Sequence, residues 1–166
     1  MAEQTLPNRE GQTVPDVTFR IRRNGEWATV TTDDIFAGKN VIVFSLPGAF
    51  TPTCSQKHLP GYVQKLPELK AAGVDLVACL SVNDAWVMKA WAEQSDALGK
   101  ITMLADGSAA FTKALGLELD LTARGMGVRC QRFSALVDDG VVKALNVEAP
   151  GKFEVSDAQT MLNQLG

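Results

Sequence analysis

The run Val41-Ile42-Val43-Phe44-Ser45-Leu46 constrains the fold more than any other stretch of the chain. It carries no charge, and Pro47-Gly48 cuts it off. A strand with one wet face alternates apolar and polar residues. A run this uniform suits a central strand covered on both faces. Along the chain such short apolar runs alternate with helical patterns, which argues for an α/β fold.

The flanking segments supply those patterns. Val17–Arg22 and Trp27–Thr31, with the turn signal Asn24-Gly25 between them, read as an N-terminal hairpin. Asp33–Gly38 reads as one helical turn. Cys54–Ala72 reads as a helix that Pro60 and Pro67 should bend. Val74–Leu80 is a second buried strand. Asp84 is the expected N-cap of a helix with Val87, Ala90, Trp91 and Leu98 on one face and Gly99 as its stop. Ile101–Ala105 is a third strand, and Asp106-Gly107-Ser108 opens a short helix reaching Leu115. Phe133–Val137 and Val141–Val147 form a hairpin around Asp138-Asp139-Gly140, and Ser156–Leu165 closes the chain as a helix. This order resembles a thioredoxin-like fold, a central mixed sheet flanked by helices, with an N-terminal hairpin added. At 166 residues, one domain over 1–166 is expected.

Composition removes several classes of function. Sixteen basic residues against nineteen acidic ones give a net charge of −3, which lacks the basic footprint of a nucleic-acid binder. No apolar run approaches the roughly 18 residues of a membrane helix. The acidic N-terminus, with Glu3 and Glu10, has neither the basic n-region nor the apolar h-region of a secretory signal. The three cysteines, Cys54, Cys79 and Cys130, are too few and too odd for a disulfide framework, so a reducing cytoplasm is the expected compartment. No glycine-rich phosphate loop and no haem or flavin signature is present, so no cofactor is expected.

The chemistry concentrates in Pro47-Gly48-Ala49-Phe50-Thr51-Pro52-Thr53-Cys54-Ser55-Gln56-Lys57-His58. This stretch leaves the first central strand at its carboxyl end, where open α/β sheets gather ligands. It then opens the first long helix. The unpaired N–H groups and positive dipole end there favour a thiolate, which is the nucleophilic form of cysteine. No second cysteine follows at C-x-x-C spacing, so a dithiol disulfide reductase is disfavoured. One cysteine with one nearby histidine falls short of a zinc site, and no metal is expected.

Pro47-x-x-x-Thr51-x-x-Cys54 is similar to the active-site signature of the peroxiredoxins. The longer string through Ser55, with His58-Leu59-Pro60-Gly61, resembles their type-five, or plant type II, branch. Four further strings resemble that branch in the expected order: Cys79 to Asp84, Leu104 to Gly107, Arg129-x-x-Arg132-Phe133, and Val142 to Glu148. The resemblance runs from about Val14 to Leu165. It implies a thiol peroxidase for hydrogen peroxide and alkyl hydroperoxides, serving antioxidant defence, and commonly a homodimer.

The resemblance also implies roles. Cys54 matches the peroxidatic position, where thiolate attack on a peroxide oxygen leaves a sulfenic acid. Thr51 matches the hydroxyl that accepts from the peroxide and donates to the thiolate. Pro47 matches the proline that shields the sulfur from water. Arg129 matches the arginine whose donors polarise the O–O bond, with Arg132 as second choice. Gly48, Phe50 and His58 are expected to line the substrate pocket, and Phe50 and Trp86 to serve either a dimer interface or ordinary core. Cys79 and Cys130 are candidate secondary thiols. Cys79 is expected to be buried, and strand alternation should turn Cys130 to the opposite face. Some members carry a resolving cysteine in the segment corresponding to Phe153–Ala158. None stands there in this chain. The expected mechanism therefore uses one cysteine, recycled by glutathione with glutaredoxin or by thioredoxin. A peroxide sensor that passes its oxidation to a partner protein shares the same site, and a redox-inert interaction module remains a third reading.

Overall fold

A computed structural model describes residues 10–23 and 25–165. Met1–Arg9, Asn24 of the expected turn and Gly166 lie outside the described residues.

Five strands form the central sheet, in the order β5-β4-β3-β8-β9. Here β3 is Asn40–Ser45, β4 is Leu76–Ser81, β5 is Thr102–Ala105, β8 is Phe133–Asp138 and β9 is Val141–Val147. β3 pairs in parallel with β4 and antiparallel with β8, so the sheet is mixed. The apolar run is its middle strand, and Val41 to Leu46 are all buried.

Alternation along the strands divides the core in two. Val41, Val43, Ala78, Leu80, Ala135 and Val137 face one cluster, which holds Phe19, Phe36 and Phe111. Ile42, Phe44, Val77 and Cys79 face the other, which holds Leu59, Tyr62, Met88, Trp91 and Met161. Each fully buried Val, Leu, Ile or Phe in these layers contributes about 1.5–3 kcal/mol of transfer free energy. The second cluster is roofed by α2 (Leu59–Ala71), α3 (Ala85–Gln94) and α5 (Ala158–Leu165). The first is covered by α1 (Thr32–Phe36), α4 (Ala110–Leu115) and the N-terminal hairpin of β1 (Thr18–Arg23) and β2 (Glu26–Thr31).

Three expectations change in detail. Asp84 caps α3 by accepting from the Val87 N–H, but the buried face is Ala85, Met88, Trp91 and Ala92. Ala90 lies off that face and is exposed, and Leu98 is exposed beyond the end of the helix, which stops at Gln94. A second antiparallel hairpin, β6 (Glu118–Leu121) with β7 (Gly127–Cys130), was not legible in the sequence. The helix that starts the site is not uniform: Cys54–His58 is a π-helical turn in which the Leu59 N–H reaches the Cys54 carbonyl. Pro60 supplies the cause. It has no N–H for the Gln56 carbonyl, and its ring would crowd that carbonyl in a regular α-turn.

Candidate active site

Pro47-Gly48 ends β3, and the next residues are held by the loop after β4. The Ala49 N–H donates to Asn83 Oδ1 at 3.0 Å, and Ser81 Oγ donates to the same oxygen at 2.6 Å. Phe50 takes a left-handed backbone, with φ +65°, which a residue with a side chain seldom adopts. Helical geometry then begins at Pro52 and places Cys54 in the first turn, wholly buried. Trp91 secures that turn from α3, its indole N–H donating to Ser55 Oγ at 3.0 Å.

The arginine on the sulfur is Arg132. Its Nη2 donates to Cys54 Sγ at 3.1 Å. Arg129, the expected partner, lies elsewhere. Its Nε donates to the Met126 carbonyl at 2.8 Å and its Nη1 to the Val82 carbonyl at 3.2 Å, reaching the Pro47 carbonyl at 3.5 Å. Arg129 thus ties the loop after β3 to the loop after β4. The physical reason is placement in the chain: Arg129 sits within β7, whereas Arg132 belongs to the two-residue link between β7 and β8, from which its guanidinium reaches Cys54 at the helix start.

Thr51 also differs from expectation. Its hydroxyl donates to the Gly48 carbonyl at 2.6 Å, so its proton is not directed at the sulfur. The oxygen lone pairs remain able to accept an O–H.

His58 is fully buried. A carbonyl can only accept, so the contact of 3.1 Å with the Ser156 carbonyl puts the proton on Nε2. Nδ1 then accepts from Arg132 Nη1 at 2.9 Å. Burial, and next the Arg132 charge, push the His58 pKa down to about 3, so the ring is neutral at physiological pH. Tyr62 donates its hydroxyl to the same Ser156 carbonyl at 2.8 Å, and burial raises its pKa.

A cleft of about 140 Å³ opens onto this site. Pro47, Thr53, Leu119, Arg132 and Phe153 line it, together with the 148–152 segment. The three residues expected to form the pocket do not line this cleft. Gly48 is packed under Arg129, Phe50 is 47% exposed beside Trp91, and His58 lies behind Arg132. The cleft wall at 148–153 comes from a loop whose Pro150-Gly151 carried no chemical signal in the sequence.

The other two thiols are buried and unbridged. Cys79 belongs to the same core cluster as Cys54, and burial, then the neighbouring Cys54, raises its pKa well above the ordinary thiol value. Cys130 faces the opposite cluster, as alternation requires, and burial pushes it up to about 12.

A single buried sulfur with a cationic donor on it, at a helix start on a thioredoxin-like sheet, defines a thiol redox protein. Residues 9–162 match the Redoxin family. The chain is 50% identical over 161 residues to the chloroplastic peroxiredoxin-2E-2 of Oryza sativa subsp. japonica, spanning 93% of this chain and 71% of that one. It is 48% identical over 160 residues to peroxiredoxin-2B of Arabidopsis thaliana, spanning 96% and 99%. The structure of a reduced Prx3 from Vibrio vulnificus in complex with hydrogen peroxide superposes with a TM-score of 0.91 at 53% identity, covering 95% of this chain and 98% of that one. The chain belongs to the peroxiredoxin family, in its plant type II branch, and it is a thiol-dependent peroxidase.

Proposed function

We propose that Cys54 is the peroxidatic cysteine and that Arg132, rather than Arg129, activates the peroxide. The observation that carries this reading is the 3.1 Å contact from Arg132 Nη2 to Cys54 Sγ. In the proposed step the Cys54 thiolate attacks one oxygen of a hydroperoxide. An S–O bond forms and the O–O bond breaks. Sulfur loses two electrons, and the leaving oxygen takes them as an alkoxide or hydroxide that gains a proton from water. Arg132 donors meet the charge that develops on that oxygen, the kind of term worth about 10²–10³ in rate. Thr51 Oγ1 accepts the peroxide O–H, and Pro47 walls the sulfur from bulk water.

The small cleft suits hydrogen peroxide and short alkyl hydroperoxides. The Cys54 sulfenic acid then condenses with an external thiol, releasing water. A second thiol reduces the mixed disulfide, freeing thiolate and leaving the external pair oxidised. Glutathione with glutaredoxin, or thioredoxin, is the proposed reductant, since Cys79 and Cys130 are buried and protonated. We further infer one domain over 1–166, a reducing cytoplasmic setting and a homodimer. The dimer reading rests on exposed aromatics: Phe50 beside the site, and Trp86 against Trp27 at 4.7 Å. Among the described residues no helix is long and apolar enough to cross a membrane.

The test is NADPH consumption with hydrogen peroxide in two coupled systems, one with glutathione, glutaredoxin and glutathione reductase, the other with thioredoxin and its reductase. Cys54-dependent turnover in either supports the reading and names the reductant. Rapid sulfenic acid formation without turnover in both favours a sensor instead.

A further inference from the structure

Glu148 closes the Val142–Glu148 string, yet it does not touch Cys54. It is a carboxylate only 4% exposed. Three successive backbone N–H groups, of Glu154, Val155 and Ser156, converge on it at 2.9 Å each, and Ser156 Oγ donates at 2.7 Å. Burial pushes this carboxyl up, but Ser156 Oγ and the three N–H groups together outweigh it and hold it below the ordinary range. The carboxylate therefore folds the 149–156 segment around itself.

That folded segment holds Arg132 in two ways. Ser156 presents its carbonyl to His58 Nε2, and His58 Nδ1 accepts from Arg132 Nη1. Phe153 sets its ring 5.7 Å from the Arg132 guanidinium carbon and 4.9 Å from the His58 ring. The main chain completes a ring, because the Glu148 N–H donates to the Arg132 carbonyl at 2.9 Å. Backbone and guanidinium of Arg132 are thus both fixed by one residue and the segment it folds.

We propose that Glu148 is a positioning residue for the peroxidase step: it orients Arg132 on Cys54 by fixing the Ser156 carbonyl and the Phe153 ring. Glu148 acts only through Arg132 and His58. A carboxamide at 148 keeps the shape but turns an NH₂ group toward the converging N–H donors, so the segment loosens while the sheet is untouched.

The chain holds a single histidine, so a tag-free, ¹⁵N-labelled protein gives one imidazole pattern. The wild-type ring should show the Nε2–H tautomer alone. Glu148→Gln should show averaging between tautomers and a roughly tenfold slower attack of Cys54 on hydrogen peroxide. The deciding measurement is a double-mutant cycle on the attack rate constant. In an Arg132→Gln background, Glu148→Gln should change the rate by less than about twofold, because the donor it positions is gone. Should Glu148→Gln fail to fold, Ser156→Ala takes its place in the cycle, since it removes one donor and keeps the carbonyl. Equal losses in both backgrounds, or an attack rate and tautomer unchanged by Glu148→Gln, overturn the proposal. The inference rests on Cys54 and Arg132 doing the chemistry. Failure of that reading would show separately, as peroxide consumption that survives Cys54→Ser.

Discussion

His58 Nδ1 stands 2.9 Å from Arg132 Nη1, and it can only be the acceptor of that hydrogen bond. The guanidinium has no lone pair to offer. Neutrality of His58 is therefore a condition of the site, which agrees with a pKa near 3 against 6.5 for a free imidazole.

This sets a pH dependence of stability with a definite sign. Between pH 3 and 6.5 the unfolded chain carries a proton on His58 that the folded chain does not. Stability from this group is complete above about 6.5 and falls as the pH drops through the window, at about 1.4 kcal/mol per unit. Urea unfolding of wild type and His58→Gln at pH 4.5 and 6.5 isolates the term. The carboxamide can still accept from Arg132 and donate to Ser156. The wild type should lose about 2–3 kcal/mol more than the variant on acidification. Equal losses would mean that His58 is charged in the fold.

The two arginines should separate cleanly. Arg132→Gln removes the donor on the sulfur and should slow peroxide attack by about 10²–10³. Arg129→Gln should slow it by less than about tenfold and lower the melting temperature by a few degrees, through lost carbonyl contacts. Competition with a haem peroxidase for hydrogen peroxide measures both attack rates. A larger loss in Arg129→Gln than in Arg132→Gln would return the activating role to Arg129.

The sequence made the sheet and the candidate thiol legible but did not show which arginine meets the sulfur, and the reasons are physical. Val41–Leu46 was legible because a short charge-free run bounded by Pro47-Gly48 suits a strand covered on both faces, and all six residues are buried. Cys54 stood out because Pro47, Pro52 and the following helix fix a thiol at a helix start. Arg129 and Arg132 could not be ranked by spacing. β7 ends at Cys130 and β8 begins at Phe133, so the side-chain direction of Arg132 is set by a two-residue link. The hairpin that creates this link was invisible, because Glu118–Leu121 and Gly127–Cys130 are four residues each and carry Glu118, Asp120 and Arg129. The Glu148 contacts were equally hidden, since backbone N–H groups leave no mark in a sequence.

Gly48 offers a steric test of the loop. A Cβ there would lie 3.2 Å from Arg129 Nη1 and 3.2 Å from Thr51 Cγ2. Both neighbours are already engaged, Arg129 with Val82 and Thr51 with the Gly48 carbonyl. Gly48→Ala should cost about 1–3 kcal/mol in stability, as overpacked sites do, and slow peroxide attack several-fold. Thermal melting and the attack rate together check it. A variant matching wild type in both would mean that the loop gives way freely.

The two remaining thiols should behave differently from Cys54 and from each other. Both are protonated at neutral pH, so iodoacetamide at pH 8 should leave Cys79 and Cys130 unmodified in the folded protein, read by mass spectrometry. Serine at 130 finds the Ser45 and Thr112 hydroxyls that already neighbour the thiol. Serine at 79 enters the apolar cluster of Phe44, Tyr62 and Trp91, where an unpaired hydroxyl costs about 1–3 kcal/mol. Cys79→Ser should therefore lower the melting temperature more than Cys130→Ser does. Both should keep most of the attack rate and most of the turnover with an external thiol. If either variant attacked peroxide normally yet lost turnover, that cysteine would be the resolving one, and the one-cysteine cycle would give way to an internal disulfide.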